Sequence, residues 1–361
     1  MVGEGISVGE AWELIRKVLN KIDKNSTNLT HFPHITQNAK WITRVDGDWT
    51  GGFWVGLLWL SYKLTDEKRY EKLAYDWLKL LEKRKKDRTP DLGFLFYPSF
   101  ALGYQITNDA QLKRTALEAA NTLTTIFNEK ANFIHDEKST DAGKIGQSAI
   151  DFMMNLQLLW WAHEETGEEK YHQIAFKHST STIKNLIRKD GSTIHVIDFD
   201  LKSGDTIRKK TEQGYSNDSC WSRGQAWAIY GFALAYEATM ENSFLETAEK
   251  VSAYFVRKLP QDYVPFWDFN DPKIPNTVRD SSAAAIACSG MLTLSEVAKK
   301  EEFKETVHKI LDSLSKNYWA EKGDGLLKHG CYHKPEKLGV DESLIWGDYY
   351  FVEALEKSRR K

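Results

Sequence analysis

Several features that mark specialised proteins are scarce in this sequence. Cysteine occurs only three times in 361 residues, at Cys220, Cys288 and Cys331. Because these residues are odd in number and far apart, they fit neither a disulfide framework nor a zinc knuckle. The N-terminus lacks a basic segment followed by an apolar core, and the apolar runs are judged too short to span a bilayer. We therefore expect no membrane partner and a cytoplasmic location, or a periplasmic one if a signal peptide has been removed.

Charge of one sign is not in excess either. The 49 Lys and Arg residues nearly balance the 51 Asp and Glu residues, for a formal net charge of −2. The basic run at 82–88 ends an amphipathic segment, where it favours the helix dipole and is typical of a solvated face. No overall basic field would hold a nucleic-acid backbone, so we expect no nucleic-acid partner.

Motifs for cofactor or metal chemistry are also missing. The sequence has no P-loop, no dinucleotide fingerprint, no G-x-S-x-G and no H-E-x-x-H. The pairs His31 with His34 and His172 with His178 lack the spacing and the third ligand of a metal site. We therefore expect the chain to need neither a metal nor an organic cofactor.

What the sequence does have is a repeated helical join. An apolar helix stops, a polar turn follows, and an aromatic residue or Leu opens a two-faced helix, which is the pattern of inner and outer rings. The joins lie at 64–70, 106–112, 165–171, 238–244 and 297–303. We predict an all-α fold, a single (α/α)6 barrel domain of six helical hairpins over 1–361. The predicted helices lie near 8–23, 53–65, 67–84, 98–107, 110–129, 147–166, 168–188, 223–240, 243–258, 281–298, 301–318 and 343–358.

The loops of this predicted barrel are unequal. Turns within a hairpin are short, whereas the loops that lead into inner helices are long and rich in Trp, Asp, Gly and Pro. Function is therefore expected at the N-terminal mouth of the inner helices. The loop at 189–221 alternates with period two around His195 before a KSGD turn, which predicts a small β-hairpin over that mouth.

Two aspartates are candidate catalytic groups at this mouth. Asp151 shares a polar stripe with Gln147, Ser148 and Asn155 on a predicted apolar helix. Asp91 lies between a helix-breaking proline and a glycine. Each aspartate alone also fits a purely structural role, Asp151 as a helix cap and Asp91 in a turn. At matching ends of inner helices beside aromatic loops, they are better explained as a catalytic pair.

Tryptophan is concentrated where sugars are expected to bind. Trp41, Trp49, Trp221 and Trp267 lie in polar loops, and their flat faces suit the C–H side of a sugar ring. The stretch GYSNDSCWSRGQAWAIYG at 214–231 places further polar and aromatic residues directly before an apolar helix. Because buried polar groups need partners, this cluster predicts a recess for a polar ligand with a flat face.

Segments from about residue 40 to the C-terminus together resemble the unsaturated glucuronyl hydrolases of glycoside hydrolase family 88. Their order is that of the family, so the resemblance is more specific than any single motif; the first helix has no match. The segments are DGDWTGGFWVGLLWLSY, DLGFLFYPSF, IDFMMNLQLLWWA, DGSTIHVIDFD, QGYSNDSCWSRGQAWAIYGFALAYE, VPFWDFNDP, RDSSAAAIACSGML and LIWGDYYFVEAL.

The resemblance implies an enzyme that removes a 4,5-unsaturated uronic acid from the non-reducing end of oligosaccharides made by polysaccharide lyases, of glycosaminoglycan type. A proton delivered to carbon 4 of the vinyl ether creates positive charge at carbon 5, where water adds. Because the anomeric carbon is not attacked, carboxylate separation does not predict the stereochemical outcome as it does in other glycosidases.

Residue roles follow from the same resemblance. Asp151 resembles the general acid and base, and Asp91 its assisting carboxylate. Family members commonly have histidine directly before the aspartate that matches Asp91, whereas this chain has Pro90 at that position. The expected substrate contacts are His195, Gln213, Arg223, Trp227, Trp221 and Trp49, with Arg223 assigned to the uronate carboxylate through its two-pronged guanidinium.

The neighbouring subsite is expected to draw on the C-terminal loop at 329–342. Lys334 and Lys337 there are candidates for contact with sulfate or carboxylate groups, although solvated loop lysines explain them equally well. The alternative enzyme is an unsaturated rhamnogalacturonyl hydrolase acting on pectin fragments. A non-enzymatic helical scaffold is disfavoured by the long aromatic loops. We expect an unsaturated oligosaccharide as partner and a monomer or weak homodimer.

Overall fold

The structure, a computed structural model, describes residues 8–136 and 144–359. Its helices alternate between an inner and an outer ring, which confirms the predicted (α/α)6 barrel. In chain order the helices are α1 (Val8–Asn28), α2 (Gly51–Thr65), α3 (Lys68–Leu81), α4 (Leu92–Phe96), α5 (Leu102–Thr107), α6 (Ala110–Thr124), α7 (Phe152–Asn155), α8 (Gln157–Thr166), α9 (Glu169–Leu186), α10 (Ser222–Thr239), α11 (Asn242–Lys258), α12 (Ser281–Ala298), α13 (Lys304–Lys316) and α14 (Ile345–Arg359).

The inner ring is closed. In ring order it contains α2, α4 with α5, α7 with α8, α10, α12 and α14, and α14 contacts α2 again. Inner helices are apolar nearly all round because they meet protein on every side, and α10 is buried from Ser222 to Tyr236. Outer helices bury one face only, as α3 does with Tyr70, Ala74, Trp77 and Leu81.

Short strands fill the loops that lead into several inner helices. They are β1 (Phe32–Gln37), β2 (Lys40–Arg44), β3 (Phe127–Asn128), β4 (Phe133–Ile134), β5 (Ile145–Ala149), β6 (Val196–Asp200), β7 (Thr206–Lys210), β8 (Gly330–His333) and β9 (Leu338–Glu342). The β6–β7 hairpin is the one predicted beside His195, and β5 extends it to a three-stranded antiparallel sheet. The C-terminal loop forms the β8–β9 hairpin.

Two inner segments begin differently from the prediction. The second starts at Leu92 rather than near 98, and a π-helical turn, Tyr97–Ala101, joins α4 to α5. Pro90, interpreted from the sequence as a helix breaker, lies just before the start of α4. The third was predicted as one helix from 147, but β5 occupies its first residues. The predicted helical stripe is therefore wrong, since Gln147 and Ser148 lie on a strand and only Asn155 is helical.

Glycine lets neighbouring inner helices approach closely. A Cβ on Gly93 would lie 2.3 Å from Asn155 Cα, and one on Gly52 would lie 2.2 Å from the carbonyl oxygen of Phe94. Only a residue without a side chain fits at such contacts. Each junction of the ring has a glycine of this kind: Gly52 between α2 and α4, Gly93 between α4 and α7, Gly231 between α7 and α10, Gly290 between α10 and α12, Gly347 between α12 and α14, and Gly56 between α14 and α2.

One helix in the described part of the chain, α12, is long and apolar enough by length and composition alone to cross a membrane. The expectation that every apolar run is too short was therefore wrong for this segment. Its position explains the composition, because 83% of its 18-residue window is buried inside the barrel. An inner helix surrounded by protein needs the same apolar side chains as one surrounded by lipid.

Replacing Gly93 by Ala should destabilise the fold by about 1–3 kcal/mol, because the added methyl group overlaps the α7 backbone at Asn155. Chemical unfolding followed by circular dichroism measures this loss. Gly167→Asn is the control, since Gly167 has a left-handed backbone with open space around it, and Asn tolerates that conformation. A Gly93→Ala protein as stable as the control would contradict the close-packing account.

Candidate active site

A cavity of about 170 Å3 opens at the N-terminal mouth of the inner helices. It collects side chains that are far apart in sequence, from the ends of α4, α7 and α10, from β5 and from the residues that flank the β6–β7 hairpin. Eight of the ten predicted site residues line it: Trp49, Asp91, Asp151, His195, Gln213, Trp221, Arg223 and Trp227. The two predicted lysines do not.

Asp91 and Asp151 precede neighbouring inner helices, α4 and α7. These helices touch directly, because the side-chain oxygen of Asn155 accepts a hydrogen bond from the Phe94 N–H at 2.7 Å. Both aspartates stand at the N-cap position, yet neither carboxylate accepts a hydrogen bond from its helix. Asp151 therefore makes no capping hydrogen bond through its carboxylate, and the structure does not support a capping role for its side chain. Two acids therefore lie at the same end of adjacent helices, and neither carboxyl group is occupied by capping its helix.

Both carboxyl groups retain protons unusually well. Burial, reinforced by the negative charge of Asp151, raises the pKa of Asp91 to about 7, while a hydrogen bond from Thr89 opposes the rise. Burial also raises the pKa of Asp151 to about 6, against the opposing effect of the Arg223 charge. Because the two acids interact, their titration belongs to the pair. The pair keeps a proton close to neutral pH, as an acid catalyst requires.

His195 is a neutral hydrogen-bond donor beside this pair. Its Nδ1 accepts from the backbone N–H groups of Glu212 and Gln213, at 3.2 and 3.3 Å. Burial and the positive charge of Arg223 lower the pKa of His195 to about 3. The ring therefore carries its hydrogen on Nε2, which lies 3.8 Å from Oδ1 of Asp151. That oxygen is buried and has no hydrogen-bond partner in the described structure.

Arg223 is not free to clamp a carboxylate as predicted. One Nη nitrogen donates to Asp280 at 2.7 Å and to the Cys331 carbonyl, and the other donates to the Tyr332 carbonyl and to Oε1 of Gln213, both at 2.6 Å. Its Nη hydrogens are thereby used inside the protein, where the residue is 1% exposed. Arg223 instead fixes the Gln213 amide so that its NH2 group remains available to a ligand.

Three of the tryptophans form the apolar walls of the cavity. Trp49 donates from Nε1 to the Tyr332 hydroxyl at 3.2 Å, and Trp221 lies between the His195 ring and the Arg223 guanidinium. Trp227 packs against the Phe94 ring at 5.2 Å. The same role was predicted for Trp41 and Trp267, and the structure contradicts it, because neither reaches this cavity.

The C-terminal lysines lie away from the cavity. The Lys334 ammonium group donates to Asp271 at 2.8 Å and to Thr277 at 2.6 Å, and it sits 4.4 Å from the Trp267 ring. Lys337 is exposed at the turn between β8 and β9. Their predicted contact with the substrate is therefore not supported. The loop reaches the site through Tyr332 instead.

Sequence reasoning missed several residues that line the cavity: Phe94, Asp136, Gln147, Glu212 and Tyr332. Gln147 was singled out, but for a helical position. Phe94 and Tyr332 lie within segments that were identified, DLGFLF and the C-terminal loop, and nothing distinguished them from their neighbours. Asp136 and Glu212 reach the mouth through loops whose paths no periodicity reveals.

No other part of the described structure offers an equivalent site. A larger recess of about 400 Å3 lies at the opposite end of the barrel, where burial raises the pKa of Glu237, but none of the predicted site residues lines it. Within residues 8–136 and 144–359, no group of three or more His, Cys, Asp or Glu side chains is arranged to hold a metal ion. The smaller cavity is lined by both Asp91 and Asp151, each with a raised pKa, and is therefore the candidate active site.

Known proteins resemble this chain in sequence and in fold. The family model described as Glycosyl Hydrolase Family 88 matches residues 14–359. Unsaturated chondroitin disaccharide hydrolase of Streptococcus pneumoniae is 38% identical over 322 residues, which are 85% of this chain and 81% of the relative.

Solved structures agree with the sequence matches. The crystal structure of unsaturated glucuronyl hydrolase from Bacillus sp. GL1, described as responsible for the degradation of glycosaminoglycan, has a TM-score of 0.93 and 32% identity over 97% of each chain. A mutant of the Streptococcus agalactiae unsaturated glucuronyl hydrolase, complexed with dGlcA-GalNAc6S, has a TM-score of 0.86 and 32% identity, covering 99% of this chain and 93% of that one.

Replacing Asp280 by Asn should cost about 3–5 kcal/mol of stability, because it leaves the buried Arg223 charge without its anionic partner. Urea unfolding measures the loss. The control is Asp76→Asn, which breaks an exposed ion pair with Lys79 and should cost about 1 kcal/mol or less. Equal losses in the two variants would show that the Arg223–Asp280 pair does not hold the cavity wall together.

Proposed function

The chain belongs to glycosyl hydrolase family 88, and we propose that it removes 4,5-unsaturated uronic acid from the non-reducing end of oligosaccharides produced by polysaccharide lyases. The observation that carries this proposal is the Asp91–Asp151 pair, partly buried and uncapped in a cavity walled by tryptophan. The names of the related proteins favour glucuronyl and chondroitin substrates over the pectin fragments of a rhamnogalacturonyl hydrolase.

The proposed reaction is hydration of the substrate's double bond. The protonated Asp151 carboxyl delivers its proton to carbon 4, and positive charge develops at carbon 5 and the ring oxygen. The resulting carboxylate accepts a proton from water as the water oxygen bonds to carbon 5. The hemiketal formed in this way opens and releases the next sugar. One group serves first as acid and then as base, which suits a pKa of about 6.

The remaining groups have supporting roles in this proposal. Asp91, whose pKa lies near 7, helps the pair to keep the reacting proton. His195 Nε2 and the NH2 group of Gln213 supply neutral donors for the uronate carboxylate and hydroxyl oxygens, and the Gln213 NH2 group has no partner within the described structure. Trp227 and Trp49 offer apolar faces to the sugar ring.

Replacing Asp151 by Asn should lower kcat at least ~10²-fold, because the amide keeps the shape of the side chain but cannot donate the proton. Activity is followed as loss of the ultraviolet absorbance of the conjugated double bond in an unsaturated disaccharide. The control, Asp66→Asn, changes an exposed residue at the left-handed C-cap of α2 and should keep full activity. Near-normal turnover by a folded Asp151→Asn protein would exclude this residue as the acid.

The pH profile of kcat/KM should fall on the alkaline side as the pair loses its last proton. In Asp91→Asn the mutual repulsion disappears and Asp151 titrates alone, with a pKa that burial holds at about 6. The alkaline limb should therefore move to lower pH, whereas Asp66→Asn should leave it in place. A limb that stays or moves upward in Asp91→Asn would show that Asp91 does not act through its charge.

A further inference from the structure

The three-stranded sheet beside the cavity carries a row of polar side chains. Gln147 on β5, Asp198 on β6 and Arg208 on β7 lie directly opposite one another in the strand register. Their side chains share one face, because the Gln147 amide donates to Asp198 at 3.0 Å and Arg208 Nε donates to the same carboxylate at 2.6 Å. Gln147 lines the catalytic cavity, so the row starts at the cavity wall and crosses the sheet to the exposed Arg208.

Asp198 holds the Arg208 guanidinium in a fixed orientation. The carboxylate is 2% exposed and accepts from Arg208 through Nε alone, while the Arg208 side chain is 63% exposed. Within the described part of the chain, the two Nη nitrogens of Arg208 make no hydrogen bond. A guanidinium anchored along one edge therefore presents its other edge to solvent, two strands away from the cavity wall at Gln147. This fork matches the spacing of two oxygens of an oxyanion.

Other cations near the mouth are already engaged. Lys210 lies 3.3 Å from both Asp198 and Glu212, so two carboxylates share its charge. The ammonium group of Lys334 is held by Asp271 and Thr277. Arg223 uses its Nη hydrogens within the protein. Arg208 differs from these cations because half of its hydrogen-bonding fork is available to a ligand.

We propose that Arg208 binds a sulfate group on the sugar that follows the unsaturated uronate, and thereby determines preference for sulfated substrates. This inference rests on the proposed function, because it assigns a residue to the subsite that holds the sugar released by the reaction. Asp198 is a positioning residue in this arrangement because it holds the guanidinium, and Gln147 in turn holds Asp198. No change in the catalytic acid pair is involved.

The test compares a 6-sulfated and an unsulfated unsaturated chondroitin disaccharide as substrates of the whole protein. Arg208→Gln should lower the ratio of kcat/KM for the sulfated over the unsulfated substrate about 10- to 100-fold, the range for a hydrogen bond to a charged group. Arg208→Lys should lose part of this preference, because it keeps the charge but not the fork. Lys209→Gln, next on the strand and on its opposite face, should leave the ratio unchanged.

The outcomes separate the inference from the proposed function. If the wild-type protein cleaves neither disaccharide, the proposed function fails and the inference fails with it. If it cleaves the unsulfated substrate but the ratio is the same in wild type and Arg208→Gln, only the inference is overturned. Because the measurement is a ratio within one protein preparation, a partly unfolded variant lowers both activities equally and does not imitate the expected result. An equal change in Lys209→Gln would also contradict the proposal, since it would indicate general charge attraction.

Discussion

The burial of two carboxyl groups side by side is the constraint on which the rest of the structure depends. An ionised aspartate is costly in an apolar cavity, and two are costlier still, so the pair keeps a proton at a pH where exposed aspartates have lost theirs. The barrel supplies this environment by placing Asp91 and Asp151 at the same end of adjacent inner helices. Neutral donors such as His195 Nε2 then face the pair without adding a charge that would remove its proton.

Close helix packing makes this placement possible. Gly93, two residues after Asp91, lets α4 approach the α7 backbone at Asn155, four residues after Asp151. On the opposite wall, the Arg223–Asp280 pair joins α10 to the start of α12 and, through the carbonyls of the C-terminal hairpin, to β8. The cavity is thus bounded by contacts that are fully buried. Such contacts tolerate little displacement, which keeps the reacting groups in position.

The sequence revealed the helices more readily than the site. Inner and outer helices differ in their apolar periodicity, so their order and most of their bounds could be predicted. The strand at Gln147 was missed because an apolar helix follows it at once and the pattern continues through the join. The engagement of Arg223 was missed for a different reason. Its partners Asp280, Cys331 and Tyr332 are 57 to 109 residues away, and no local spacing indicates that they meet. Lys334 and Asp271 are also far apart in sequence, and for this reason the hydrogen bond between them was not predicted.

The raised pKa of the aspartate pair is the central claim, and carboxyl-carbon NMR of protein labelled at aspartate measures it directly. In a titration from acid to neutral pH, the account predicts that a signal assigned to Asp91 or Asp151 by its loss in the corresponding Asn variant changes between about pH 6 and pH 7. Ordinary aspartates change near pH 4. If both signals titrate with the ordinary aspartates, the pair holds no proton near neutrality, and the proposed acid catalysis is contradicted.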